Sequence, residues 1–124
     1  MDMGVSEEAT AAETELDPSR VGELVSGGAQ LIDTRRDYEW EGGRIASARH
    51  VEVNQLTEQS ESIAKDRPVI FYCRTGNRSG MAAEAFRLAG YDAYNLAGGI
   101  HAWAEAGLPL EPEDGEIRDP LPAS

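Results

Sequence analysis

The single cysteine is the residue most able to do chemistry in this chain of 124 residues. Cys73 opens the segment Cys-Arg-Thr-Gly-Asn-Arg-Ser, residues 73–79, and follows the apolar run Val-Ile-Phe-Tyr. A thiolate is a strong nucleophile, and its pKa falls near cations and helix N-termini. Arg74 and Arg78 supply two cations within this short segment. The segment therefore predicts a nucleophilic cysteine inside an anion-binding loop.

The elements on either side of the segment predict where this loop lies. The apolar run before Cys73 is typical of a strand covered on both faces. Residues 79–89 have the apolar spacing of a helix. A loop at the start of a helix points backbone N–H groups at its own centre, and the helix dipole favours an anion there. Gly76 permits the tight turn, and we expect Thr75 and Asn77 to shape the backbone rather than to act chemically.

Strands and helices alternate along the remainder of the chain, which predicts an α/β domain with a central parallel sheet flanked by helices on both faces. The sequence predicts strands at 31–33, 50–53, 69–72 and 91–96, and helices at 18–26, 36–41, 56–64, 79–89 and 100–106.

The two ends of the chain are acidic and have no apolar periodicity. Residues 1–16 and 111–124 carry −5 and −4 of the net charge of −12. We expect residues 17–110 to form one domain and both tails to be solvated, the first disordered and the second flexible.

Composition also limits the partners that we expect. An acidic chain is a poor match for nucleic acid or for an anionic membrane surface. The sequence contains neither an apolar run of membrane-spanning length nor a basic-then-apolar secretory signal. His50 and His101 are distant in sequence from each other and from Cys73, so no metal site is predicted. A lone cysteine forms no intramolecular disulfide, and we expect the protein to lie in a reducing cytoplasm, where a free thiol persists.

Three groups of residues in order resemble the single-domain rhodanese (thiosulfate sulfurtransferase) family. The segment 73–79 resembles the active-site loop of that family. Before it, Leu-Ile-Asp-Thr-Arg at 31–35 and the pair Glu39-Trp40 follow the pattern of the family's first half. After it, Leu-Ala-Gly-Gly at 96–99 and Gly-Leu-Pro at 107–109 match the closing pattern. The resemblance covers roughly residues 21–110.

The resemblance implies a role for each matching position. Cys73 is the nucleophile that becomes a persulfide, and backbone amides from Arg74 to Ser79 surround the bound sulfur. Arg74 and Arg78 help to hold an anionic donor such as thiosulfate. Asp33 and Arg35 are a buried or half-buried pair that supports the loop from below.

The implied activity is sulfur transfer in two half-reactions, with no cofactor and no metal. The thiolate takes the outer sulfur of thiosulfate or a related donor, and the persulfide passes it to an acceptor, which is cyanide, a thiol or a protein. The sequence departs from the family pattern at Arg44, Ala46 and Ser47, where His, Pro and Gly are usual. We expect a locally altered turn there.

Two alternatives stay open. Cysteine phosphatases and arsenate reductases use a similar loop but place an arginine where Ser79 stands here, one residue after Arg78. The shorter loop suits a single sulfur better than a tetrahedral oxyanion. The second alternative is a non-catalytic binding or regulatory module. Rhodanese-like domains with such a role often lack the cysteine.

Overall fold

The computed structural model describes residues 11–119, and five parallel strands form the centre of this region. The order across the sheet is β1-β5-β4-β2-β3, which confirms the predicted parallel α/β class. The strands are β1 (Glu15–Leu16), β2 (Gln30–Asp33), β3 (Arg49–His50), β4 (Val69–Tyr72) and β5 (Ala93–Leu96). The helices are α1 (Ala11–Thr14), α2 (Pro18–Ser26), α3 (Asp37–Gly42), α4 (Leu56–Gln59), α5 (Asn77–Leu88) and α6 (Gly99–Glu105).

The side chains of β4 alternate between two apolar clusters, one on each face of the sheet. Val69 and Phe71 pack in a cluster with Phe86 of α5, whereas Ile70 and Tyr72 join Trp103 of α6 in the other. The alternation is the period of two expected of a strand. Because both faces are covered by helices, β4 is buried along its whole length, and its carboxyl end is a rigid base for the residue that follows.

One predicted helix and two predicted strands are shorter than the sequence pattern indicated. The strand predicted at 91–96 is β5, which begins at Ala93. The expected helix 56–64 consists of α4 and a 3-10 turn, Ser60–Ser62. Ser60 and Ser62 donate their hydroxyls to backbone carbonyls three residues earlier, and such bonds compete with regular helix. The expected strand 50–53 pairs only over β3, because a 3-10 turn begins at Val53.

The folded region extends past both of the expected domain boundaries. Glu15 and Leu16 of β1 pair with β5, because an edge strand offers unpaired backbone groups. At the other end, Arg44 and Glu111 exchange backbone hydrogen bonds of 3.0 and 2.7 Å. The guanidinium of Arg118 lies 4.5 Å from the ring centroid of Tyr38. The remaining tail residues, 1–10 and 120–124, lie outside the described residues.

Arg44, which departs from the family pattern, is built into its turn. Its guanidinium lies 5.0 Å from the ring centroid of Trp40 and donates to the Trp40 carbonyl at 2.9 Å. These contacts and the pairing with Glu111 give the arginine a structural role in the turn.

Helices in the described region are short, the longest being α5 with 12 residues. Between residues 11 and 119, no helix is long and apolar enough to cross a membrane.

Candidate active site

Cys73 lies between the end of β4 and the start of α5, at the carboxyl edge of the sheet. The residue is only 1% exposed. Its Sγ is 3.1 Å from the backbone nitrogen of Gly76, which donates to it, and 3.3 Å from Ser79 Oγ. Gly76 has a φ of 105°, a left-handed conformation that favours glycine. The loop therefore turns back on the sulfur, as the sequence pattern predicts for the segment 73–79.

The surroundings of Cys73 lower the pKa of its thiol. Burial is the largest influence and raises the pKa, because it disfavours the thiolate. Hydrogen bonds from the Ser79 hydroxyl and from the amides of Ser79, Gly76 and Thr75 act in the opposite direction, and together they outweigh burial. A larger fraction of Cys73 is therefore thiolate near neutral pH than for a free cysteine.

We expect the alkylation of Cys73 by iodoacetamide to titrate at a lower pH in the folded protein than in the urea-unfolded chain. Because folding lowers the pKa, the thiolate stabilises the fold above the unfolded pKa, and this contribution is lost as the pH falls through the folded pKa. The rate of alkylation measured against pH for both states gives the two midpoints. A folded midpoint equal to or above the unfolded midpoint would contradict this description of the loop.

The start of α6 supports the loop from one side. The backbone nitrogens of Ile100 and His101 donate to the carbonyls of Cys73 and Arg74 at 2.9 and 3.2 Å. A Cβ placed on Gly99 would lie 2.5 Å from both carbonyl oxygens, so only glycine permits this approach. Gly98 and Gly99 belong to the closing pattern of the resemblance, but their spacing alone did not indicate that they support the loop.

Arg78 is held by a buried carboxylate that the sequence interpretation did not select as a site residue. Two guanidinium nitrogens of Arg78 each donate to Glu39 at 3.0 Å. Glu39 is fully buried, and burial raises the pKa of its carboxyl. The hydrogen bond and charge of Arg78 lower this pKa by more than burial raises it, so the net shift is downward. The pKa of Arg78 is raised, first by the hydrogen bond to Glu39, and the charge of Cys73 adds to this. The available signal was the Glu39-Trp40 pair of the family pattern. The sequence does not show that Glu39 of this pair contacts Arg78.

Arg74 lies on the other side of the loop and is paired with the C-terminal segment. Its Nη2 is 2.6 Å from Oδ1 of Asp119, whose side chain is 79% exposed. Its Nε is buried and has no hydrogen-bond partner among the described residues. The sequence predicts that Arg74 faces an anionic donor, whereas in the structure Asp119 already occupies part of its hydrogen-bonding capacity.

Asp33 and Arg35 form a fully buried ion pair behind the loop. Arg35 Nη2 is 2.7 Å from Asp33 Oδ2, and both side chains are 0% exposed. The backbone nitrogen of Arg35 also donates to Asp33 Oδ1, and Nη2 donates to the Gly43 carbonyl. Burial lowers the pKa of Arg35, but hydrogen bonding and charge from Asp33 outweigh it. Thr34, the residue between them, donates its backbone N–H and its hydroxyl to the carbonyl of Tyr72, so this segment is fixed to the end of β4.

Two recesses flank the loop. One, of about 300 Å³, is bounded by Arg74, Thr75 and His101, among others. The second, of about 390 Å³, lies on the side of Arg78 and is also lined by Thr34 and Asn54. Thr75 and Asn77 are exposed. A small molecule can thus approach the loop next to either arginine.

His50 lies beside two carboxylates, although it is isolated in the sequence. Ligand atoms of Asp37, His50 and Glu52 lie within 4.8 Å of one another. His50 Nε2 bonds to the carbonyl of Arg35, and Glu52 accepts from the backbone nitrogen of Asp37 at 3.2 Å. These contacts connect the three residues to the backbone, and the group does not include Cys73.

Three comparisons with known proteins agree with this geometry. The model of the rhodanese-like domain family matches residues 17–106. The chain is 31% identical over 100 residues to the thiosulfate sulfurtransferase GlpE of Pseudomonas aeruginosa, covering 80% of this chain and 90% of that protein. A rhodanese-related protein from Thermoplasma volcanium superposes with a TM-score of 0.72 at 26% identity, covering 77% of this chain and 95% of that one.

A further relative is the uncharacterized protein YqhL of Bacillus subtilis, with 45% identity over 76 residues. The match spans 60% of this chain and 60% of YqhL, so it covers less than two thirds of that relative.

Proposed function

The chain belongs to the rhodanese-like domain family, and from this premise we propose that it is a sulfurtransferase that moves a sulfane sulfur from thiosulfate or a related donor to a thiophilic acceptor. Cys73 carries the sulfur as a persulfide. The activity class is supported by relatives with sulfurtransferase names, and thiosulfate is the donor in the name of GlpE.

One observation carries the proposal, namely the hydrogen bonds that converge on the Cys73 sulfur. The amide of Gly76 and the hydroxyl of Ser79 contact Sγ, and the amides of Thr75 and Ser79 also lower the pKa of the thiol. These donors stabilise a single anionic atom close to the loop. They supply the activated nucleophile that covalent sulfur transfer requires, and no separate general base is needed.

In the first half-reaction, the Cys73 thiolate attacks the outer sulfur of thiosulfate. A new S–S bond forms, the bond between the two sulfurs of the donor breaks, and sulfite leaves with the bonding electron pair. In the second, cyanide or a thiolate attacks the terminal sulfur of the persulfide, and Cys73 leaves as the thiolate. The two steps share one covalent intermediate, so we expect ping-pong kinetics.

The proposal is tested by incubating the protein with thiosulfate alone and then adding cyanide. We expect an adduct of one sulfur on the peptide that contains Cys73, seen by mass spectrometry, and formation of thiocyanate when cyanide is added. An adduct without turnover would point to a different acceptor. Neither adduct nor turnover with thiosulfate or with glutathione persulfide would contradict the proposal and favour the binding-module alternative.

We expect the substitution Asp119→Asn to lower the KM for thiosulfate about two- to fivefold and to leave kcat nearly unchanged. The carboxylate competes with the donor for Arg74, and an exposed ion pair of this kind is worth up to about 1 kcal/mol. The effect should shrink at high salt, which screens exposed charges. Glu116→Gln is the matched control. It removes a negative charge from the same segment, but the carboxylate of Glu116 pairs with Arg118 and not with Arg74. An equal change of KM in both variants would contradict a specific contact with Arg74.

A further inference from the structure

Behind the Cys73 loop, a chain of three polar side chains leads from the sulfur to the edge of the sheet. Ser79 Oγ is 3.3 Å from Cys73 Sγ and 2.6 Å from Oδ1 of Asn95 in β5. The amide nitrogen of Asn95 is 2.8 Å from Oε1 of Glu15 in β1 and 3.1 Å from the carbonyl of Gly76. Asn95 is 3% exposed.

The neighbours of Asn95 fix the orientation of its amide. Glu15 offers a carboxylate oxygen and Gly76 offers a carbonyl oxygen, and neither atom carries a hydrogen. The NH2 group of Asn95 must therefore face these two acceptors. Its Oδ1, which is only an acceptor, consequently faces the hydroxyl of Ser79.

The hydroxyl of Ser79 has one proton and two neighbours that can accept it. When Ser79 donates to Asn95, its oxygen presents only lone pairs to the sulfur, an arrangement that suits a thiol, whose S–H can donate to that oxygen. When Ser79 donates to the Cys73 thiolate, its lone pairs face Oδ1 of Asn95 across 2.6 Å, which is unfavourable. The two hydrogen bonds exclude each other, and the change between them is a rotation of the hydroxyl without proton transfer.

We propose that Asn95 is a positioning residue that competes with the sulfur of Cys73 for the hydroxyl proton of Ser79, and that Glu15 holds the amide of Asn95 in the competing orientation. Asn95 thereby favours the thiol over the free thiolate and raises the pH at which Cys73 becomes a thiolate. The inference deepens the proposed function, because it assumes that Cys73 is the reacting group of the loop.

Glu15, which holds the amide of Asn95, lies outside the residues that the family model matches. The family model begins at residue 17, whereas Glu15 belongs to β1 and reaches Asn95 because the two residues are paired in the sheet. Glu15 is exposed, so its replacement should leave the core intact.

The test measures the pH midpoint of iodoacetamide alkylation of Cys73 in the full chain. In Asn95→Leu, Ser79 is free to donate to the thiolate, and the carbonyl of Gly76 keeps its bond from the backbone nitrogen of Gly80. We expect the midpoint to fall by about one pH unit, with about tenfold faster alkylation below both midpoints. In the Ser79→Ala background, Asn95→Leu should leave the midpoint unchanged, because no hydroxyl proton remains to compete for.

Glu15→Gln is the second variant, which stays informative if Asn95→Leu does not fold. A glutamine at this position can offer either an oxygen or an NH2 group, so the amide of Asn95 is no longer held in one orientation. We expect a smaller shift in the same direction. Glu23→Gln, which removes an exposed carboxylate paired with Arg20, controls for the loss of one negative charge.

The charged groups nearest the cysteine loop, Arg78 with Glu39 and Arg74 with Asp119, are unchanged in these variants. An unchanged or raised midpoint in the folded Asn95→Leu variant, or a shift that persists without the Ser79 hydroxyl, would overturn the inference. If Asn95→Leu does not fold, a Glu15→Gln midpoint no lower than that of Glu23→Gln would do the same. Since alkylation needs no sulfur donor, a protein that shows these shifts but forms no adduct and no product with thiosulfate or glutathione persulfide would refute the proposed function and leave the role of Asn95 standing.

Discussion

Replacing Cys73 with serine should lower thiocyanate formation by at least about a thousandfold and remove the sulfur adduct altogether. A hydroxyl in this loop has the same hydrogen-bond partners as the thiol, but it stays protonated at neutral pH and cannot hold a transferable sulfur. The measurements are thiocyanate formation from thiosulfate and cyanide and the intact mass of the protein after exposure to thiosulfate.

Met81→Ser is the matched control for this substitution. It also replaces a sulfur-containing side chain with serine, but Met81 is 68% exposed on α5 and has no role in the loop. We expect full turnover and a normal adduct in this control. Residual adduct or turnover in Cys73→Ser would show that the sulfur is carried elsewhere and would remove Cys73 from the mechanism.

The carboxyl end of β4 was predictable because several signals agree there. The apolar run before Cys73, the glycine at position 76 and the helical spacing after Ser79 all indicate a strand, a turn and a helix. Each of these signals is local in the sequence. The structure has β4 at Val69–Tyr72 and α5 beginning at Asn77, next to the predicted bounds.

Contacts between distant segments could not be predicted in the same way. Glu39 and Arg78 meet only because β2 and β4 are neighbours in the sheet, and Asn95 reaches Ser79 from the adjacent strand β5. A polar residue within the strand Ala93–Leu96 was the one available signal for Asn95. It marks a position where a buried amide needs partners, but it does not say which ones.

The described parts of the acidic ends make contacts that composition did not indicate, for a related reason. Composition indicates solvated tails, yet a short segment needs few apolar residues when a sheet edge or a neighbouring turn supplies its hydrogen bonds. Leu16 and Ile117 pack against the apolar cluster on one face of the sheet. Glu15 and Asp119 each contact a residue of the candidate site, Asn95 and Arg74. Charge alone did not distinguish these two carboxylates from the other acidic residues near the ends.

The largest effect on stability is expected from Arg35→Met, which should lower the free energy of unfolding by about 3–5 kcal/mol. The substitution leaves the carboxylate of Asp33, which is 0% exposed, buried without its counterion. It also removes the donor to the carbonyl of Gly43. Arg20→Met is the control, because Arg20 forms an exposed pair with Glu23, and we expect a loss below about 1 kcal/mol. Urea unfolding followed by circular dichroism provides both values.

A double substitution separates the loss of the pair from the loss of packing. In Asp33→Asn with Arg35→Met no buried charge remains, and the side-chain oxygen of the asparagine can still accept from the backbone nitrogen of residue 35, as Asp33 Oδ1 does now. If the unpaired charge dominates, the double variant should be more stable than Arg35→Met alone, although it carries one substitution more. Free energies that simply add would contradict this, and they would mean that Arg35 stabilises the fold through its volume and its bond to Gly43 rather than through the charge of Asp33.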